Sequence, residues 1–136
     1  MWKCEQVIGA DLNVEEVAGL YHASTLAERR PIEDVERFTH MLAGANLVVT
    51  ARTDDGLLIG IARSMTDSVY ATYLSDLAVD AEFQRQGVGR DLIRVTQEAA
   101  PQAKLILLSA PGAVGYYPHV GFTPHASAWT LPGPAA

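Results

Sequence analysis

The chain has 136 residues, is 49% hydrophobic and 19% charged, and carries a formal net charge of −6 with one cysteine. That size and balance suit a single globular domain over residues 1–136, with little room for a second. The acidic balance excludes nucleic-acid binding by phosphate neutralisation, Cys4 alone excludes an internal disulfide or a multi-cysteine zinc site, and no run nears the ~18 apolar residues of a membrane span.

Residues 2–8 are apolar enough for a first strand. Asn13, with Glu16 three residues on, reads as a helix cap, and Val14, Val17, Leu20 and Tyr21 follow at helical spacing. A second helix is predicted from Pro31, with Ile32, Val35, Phe38 and Leu42 as its apolar stripe and Gly44 at its end. Strands follow. Asn46 to Arg52 is rich in β-branched residues, Asp54-Asp55-Gly56 is a hairpin signal, and Leu57 to Met65 returns. A turn at Thr66-Asp67-Ser68 leads into a long strand, Val69 to Val79, which completes an antiparallel meander. Val88, Leu92, Val95 and Ala99 form a helical stripe that Pro101 ends. Lys104 to Leu108 reads as a buried strand, parallel to the one before the helix through a βαβ crossover. A short helix over 113–120 and a last strand from Phe122 to Leu131 complete a mixed α/β single-domain fold.

The chemistry concentrates between Leu77 and Arg90. There a strand, a short loop and the glycines Gly87 and Gly89 directly precede a helix. Glycine lets the backbone approach a bound group closely, and the free amides of a helix start attract phosphate oxygens. Leu92 stands where a dinucleotide fingerprint needs a third small residue, and no acidic residue lies from Lys104 to Tyr116. A nucleotide P-loop is excluded because no Gly-Lys-Ser/Thr triplet occurs. A tight strand-to-helix turn without ligand remains the competing reading of this stretch alone.

Its surroundings add specificity. The pattern Gln84-x-x-Gly87-x-Gly89, after the strand Tyr73-Leu74-Ser75-Asp76-Leu77-Ala78-Val79, resembles the acetyl-CoA motif of the GNAT superfamily of N-acyltransferases. About 30 residues on, Tyr116-Tyr117-Pro118-His119-Val120-Gly121-Phe122 is similar to the family's Tyr-x-x-x-Gly-Phe ending. The resemblance implies that strands Tyr73–Val79 and Lys104–Leu108 splay apart around the cofactor's pantetheine arm. It implies that the backbone of Leu77, Ala78 and Val79 binds that arm, and that the amides of Gln84, Arg85, Gln86, Gly87, Val88, Gly89 and Arg90 hold the diphosphate.

The activity so implied is acetyl transfer from acetyl-CoA, as co-substrate, to a primary amine that attacks the thioester directly. The acceptor is a small molecule or a peptide or protein amine. Tyr117 occupies the family's position for the general acid that protonates the leaving thiolate. Asp76 is the first candidate for the proton acceptor, with Tyr73 and Ser75 as rivals for contact with the acceptor amine. Strand alternation puts Asp76 on the face away from Tyr73 and Ser75 unless a bulge intervenes. A catalytically silent acyl-CoA-binding module is the alternative. Arg29 and Arg30 fall in a region that in this family lines the acceptor pocket, and a solvated pair is the plainer reading. His22, His40, His119 and His125 show no metal-site spacing, so no metal is expected. The start of the chain lacks a signal-peptide pattern, which with the missing membrane span makes the cytoplasm the expected compartment. An edge strand near the C-terminus suggests a homodimer.

Overall fold

A computed structural model describes residues 1–135. Five strands form one sheet in the order β1-β2-β3-β4-β5: β1 (Trp2–Val7), β2 (Leu47–Thr53), β3 (Leu58–Thr66), β4 (Ala71–Val79) and β5 (Lys104–Ile106). β1 to β4 pair antiparallel, and β5 joins β4 in parallel. That parallel pair needs a crossover, which α3 (Val88–Ala99) provides.

Helices cover both faces of the sheet. On one, α1 (Val14–Ala23) and α2 (Val35–Gly44) bury Val17, Leu20, Tyr21, Phe38 and Leu42 against Val48, Ile61 and Ala78. Tyr21 and Phe38 meet edge-on with ring centroids 5.1 Å apart. Complete burial of a ring the size of Phe38 contributes about 1.5–3 kcal/mol. On the other face α3 presents Val88, Leu92 and Ile93 to Val49, Ala51, Ala62 and Leu74. α3 lies so close to β3 that a Cβ on Gly60 would come within 2.9 Å of Leu92 Cδ1 and 3.1 Å of Val88 Cγ1.

Local chemistry fixes the element ends. Asn13 caps α1, its Oδ1 accepting from the Glu16 amide at 3.0 Å, as the sequence implies. α2 begins at Val35 rather than at Pro31, because Asp34 is its cap and accepts from the Arg37 amide at 3.1 Å. In the β3–β4 turn the Asp67 carboxylate accepts from the amides of Val69, Tyr70 and Ala71. Those bonds delay the start of β4 by two residues relative to the predicted Val69.

The C-terminal third differs from expectation. β5 stops at Ile106 and is half exposed, not the buried strand predicted over Lys104–Leu108. In place of a helix over 113–120 there are two 3-10 turns, Pro111–Ala113 and Tyr117–Val120. No strand forms from Phe122 to Leu131. Pro124 lacks an amide donor there, and Trp129 and Leu131 stay over 90% exposed, so no burial compensates the ordering of a strand.

Candidate active site

β4 organises the site through one irregularity. Arg63 pairs with Asp76 and Ser64 with Leu74, which leaves Ser75 as the extra residue of a bulge. The bulge interrupts strict alternation. Leu74 and Leu77 both pack on the α3 face, whereas Asp76 and Ala78 turn towards α1 and α2. Pairing with β5 ends at Tyr73↔Ile106, so the β5-facing edge of Leu74–Val79 has no strand beside it. The two parallel strands thus part, as the resemblance implies.

A cavity of about 470 Å³ occupies this region. β4 contributes Ser75, Leu77 and Val79, the segment after α1 contributes residues including Thr25, Arg29 and Arg30, and Gln84, Leu108, the Ala110–Ala113 turn and Tyr117 also line it. The volume lies within the ~300–1,000 Å³ of small-molecule sites.

At its end the Gln84–Arg90 turn adopts an anion-binding shape. Arg85 (φ 64°) and Gly87 (φ 100°) are both left-handed, and alternation of this kind points successive amides into one concavity. No amide from Arg85 to Gly87 donates to another group among the described residues, and the first helical backbone bond runs from Asp91 to Gly87 O. The amides of Val88, Gly89 and Arg90 are the unsatisfied donors of a helix start. The turn is braced by its side chains: Gln84 Nε2 donates to Val79 O at 3.0 Å, and Arg90 Nη2 to His119 O at 3.2 Å. Nothing lies within 4 Å of a Cβ built on Gly87, whereas one on Gly89 would lie 2.6 Å from the Tyr116 hydroxyl. These free amides and the unpaired strand edge fit a diphosphate with an amide-bearing arm.

Asp76 is 1% exposed. Tyr21 Oη and Arg63 Nε donate to its Oδ2, and Arg30 Nε to its Oδ1, each at 2.6 Å. Ser75 Oγ adds a fourth bond at 3.2 Å. Burial opposes ionisation of Asp76, but the bond and charge of Arg63, the Tyr21 bond and the Arg30 charge outweigh it and hold the carboxyl below its ordinary range. Burial first, then the Asp76 charge, pushes the Tyr21 phenol upward. A carboxylate has about four lone-pair sites, and all are taken. Its geometry suits a structural anion, not a proton acceptor.

The other candidates separate. Tyr117 reaches the cavity, packed edge-on between Tyr116 and Phe122 at centroid distances of 5.3 and 5.4 Å. Burial, then the neighbouring Tyr116, raises its phenol above the usual value, so it stays protonated at neutral pH. Pro118 does no harm, since it sits in the first turn of the Tyr117–Val120 3-10 helix. Tyr73 is not brought to this cavity. It lies before the bulge and borders a separate hollow with Gly44, Asn46, Met65 and Thr66. Ala78 turns its side chain into the α1–α2 core, so only its backbone is available to a ligand. Cys4 lies away from the cavity, its thiol pushed up to about 12 by burial and by Asp91.

Tyr21 and Arg63 are site residues the sequence reading missed, and one signal pointed to Arg63. A charged residue within the apolar run Leu58-Ile59-Gly60-Ile61-Ala62-Arg63 must find an opposite charge if buried. Asp76, one hairpin away, is that partner.

Residues 13–130 match a family model described as acetyltransferase (GNAT) domain. Among solved structures, a GNAT-family acetyltransferase from Streptococcus pneumoniae shares 22% identity and a TM-score of 0.73, over 96% of this chain and 98% of that one. An aminoglycoside acetyltransferase from an uncultured soil metagenomic sample, in complex with sisomicin, aligns at 20% identity and TM-score 0.72, covering 97% and 95%. An aminoglycoside N-acetyltransferase in complex with CoA aligns at 16% identity and TM-score 0.72, covering 98% and 95%. These structures are similar to the chain in fold. A search of curated proteins returns no match.

Proposed function

Because this chain belongs to the GNAT acetyltransferase family, we propose that it transfers an acetyl group from acetyl-CoA to a primary amine. The observation that carries this reading is the pairing of one open strand edge, Leu74–Val79, with one free-amide turn, Arg85–Arg90, at a cavity that Tyr117 reaches. The turn binds the diphosphate through backbone amides. The backbone of Leu77, Ala78 and Val79 binds the pantetheine arm, and an amide freed there stabilises the carbonyl oxygen as charge develops. The neutral amine attacks the thioester carbonyl; the C–N bond forms and the C–S bond breaks. Tyr117 gives its phenolic proton to the departing thiolate and is reprotonated from solvent.

The proton shed by the amine goes to water, since the Asp76 carboxylate is fully engaged. Asp76 acts instead as the anion that fixes Arg30 and the bulge at Ser75. A homodimer belongs to the same reading, with the open edge of β5 as its place of contact, and light scattering decides it.

Acetyl-CoA-dependent thiol release, measured across a panel of amines, tests the activity. The expected result is turnover with at least one amine and a loss of kcat in Tyr117→Phe. Acetyl-CoA binding without turnover of any amine, peptide or protein identifies a silent binding module instead.

A further inference from the structure

The cavity has a charge pattern that the whole chain does not. The protein carries a net −6, yet the charged residues lining the cavity are Arg29 and Arg30, and no Asp or Glu lines it. The single buried carboxylate of Asp76 faces two guanidiniums, Arg30 at the cavity wall and Arg63 behind it. This group therefore sums to one uncompensated positive charge, and Arg29 adds a second. A polycationic amine would enter such a cavity against like charge, with no carboxylate to receive it.

The two arginines have different duties. Arg30 is committed: Nε donates to Asp76, Nη2 to Ser75 O and Nη1 to Arg29 O, the last two at 2.8 Å. The last bond fixes the backbone of Arg29. The segment leading there is also held. Thr25 turns the chain there in the left-handed conformation (φ 72°). Ser24 Oγ ties the segment to Tyr21 O and to the Leu26 amide. Arg29 is exposed, and its guanidinium makes no hydrogen bond or ion pair among the described residues. A free guanidinium on a fixed backbone at a cavity suits a carboxylate or phosphate oxygen pair.

We infer that the acceptor is an amine bearing an anionic group, and that Arg29 binds that group while Arg30 holds Arg29 in place. The inference rests on the acetyltransferase reading and deepens it by naming the acceptor class. The cationic amines named with the similar aminoglycoside enzymes are the wrong class for this cavity.

The test uses matched pairs at saturating acetyl-CoA: the common amino acids against their carboxamides, and glucosamine 6-phosphate against glucosamine. Spermidine and tobramycin serve as cationic amines. The first pair set reports carboxylate and the second phosphate. The expected result is a kcat/KM higher for the anionic member of at least one pair, roughly ten- to a hundredfold for a charge-assisted contact. Arg29→Ala should compress that ratio towards one by raising KM for the anionic member, and Arg29→Lys should restore part of it. Turnover of the cationic or neutral amines in preference to every anionic one overturns the inference and leaves the acetyltransferase reading standing. So does a ratio that Arg29→Ala leaves unmoved, or, with acetyl-CoA varied at fixed amine, an Arg29→Ala defect confined to the KM for acetyl-CoA. Failure of every amine overturns the inference too, and acetyl-CoA titration of the same sample then shows whether cofactor binding fails with it.

Discussion

Replacing Asp76 with Asn separates a buried structural anion from a catalytic base. The carboxylate accepts four side-chain hydrogen bonds and is 1% exposed. Asparagine keeps the shape but turns one acceptor into an NH₂ donor aimed at donors, and it leaves Arg63, 6% exposed, without its anion. Removing one partner of a buried ion pair costs about 3–5 kcal/mol. For 136 residues, an unfolding entropy of ~2.1 cal/mol/K per residue converts that loss into a Tm drop of about 10–18 °C. Urea titration followed by circular dichroism reads the free energy, and calorimetry reads Tm. The pH dependence supplies an independent sign. Because the folded carboxyl lies below its ordinary range, its stabilisation is present above the unfolded pKa of about 3.9 and is lost as pH falls towards the folded value. Asp76→Asn should therefore flatten the loss of stability on acidification below about pH 5. A catalytic base would behave otherwise, with kcat falling roughly 10²–10⁴-fold and the acidic limb of the rate profile removed. A stability loss below about 1 kcal/mol, the scale of an exposed pair, would refute the buried-anion account.

Three further substitutions probe the remaining parts. Gly87→Val should weaken acetyl-CoA binding more than tenfold by isothermal titration, because φ 100° is closed to a β-branched residue and the amides of the turn would rotate away. Tyr117→Phe should lower kcat by about 10²-fold, the lower range for a general acid, with the Kd for acetyl-CoA within about twofold of wild type. Gly60→Val should cost about 1–3 kcal/mol by overpacking, since its Cβ would press on Leu92 and Val88 of α3, and urea midpoints measure the loss.

The parts of the fold legible in the sequence are those that depend on near neighbours. The Asn13 cap, the hairpin at Gly56 and the glycine turn before α3 all rest on contacts within a few residues. The resemblance drawn from Gln84, Gly87, Gly89 and Tyr117 held because those residues sit at fixed offsets from their elements. What lay hidden depends on pairing across the sheet. The bulge at Ser75 arises from how β4 registers against β3, and it moves Asp76 to the Tyr21 side and takes Tyr73 out of the cavity. The alternation of Tyr73, Ser75 and Leu77 carries no sign of it. The stretch from Phe122 to Leu131 shows the opposite failure. Its apolar residues satisfy a local strand pattern, but beside the three-residue β5 no strand forms. The net charge of −6 says nothing of the cavity, which is locally basic because Asp76 is spent on Arg30 and Arg63.

Acetyl-CoA titration of the isotope-labelled protein, read from backbone amide resonances, tests the donor site most directly. The account predicts saturable shifts concentrated at Leu77–Val79 and Arg85–Arg90, with Tyr117 affected and the Tyr73 hollow unchanged. Saturable shifts elsewhere, or none at millimolar acetyl-CoA, would contradict it.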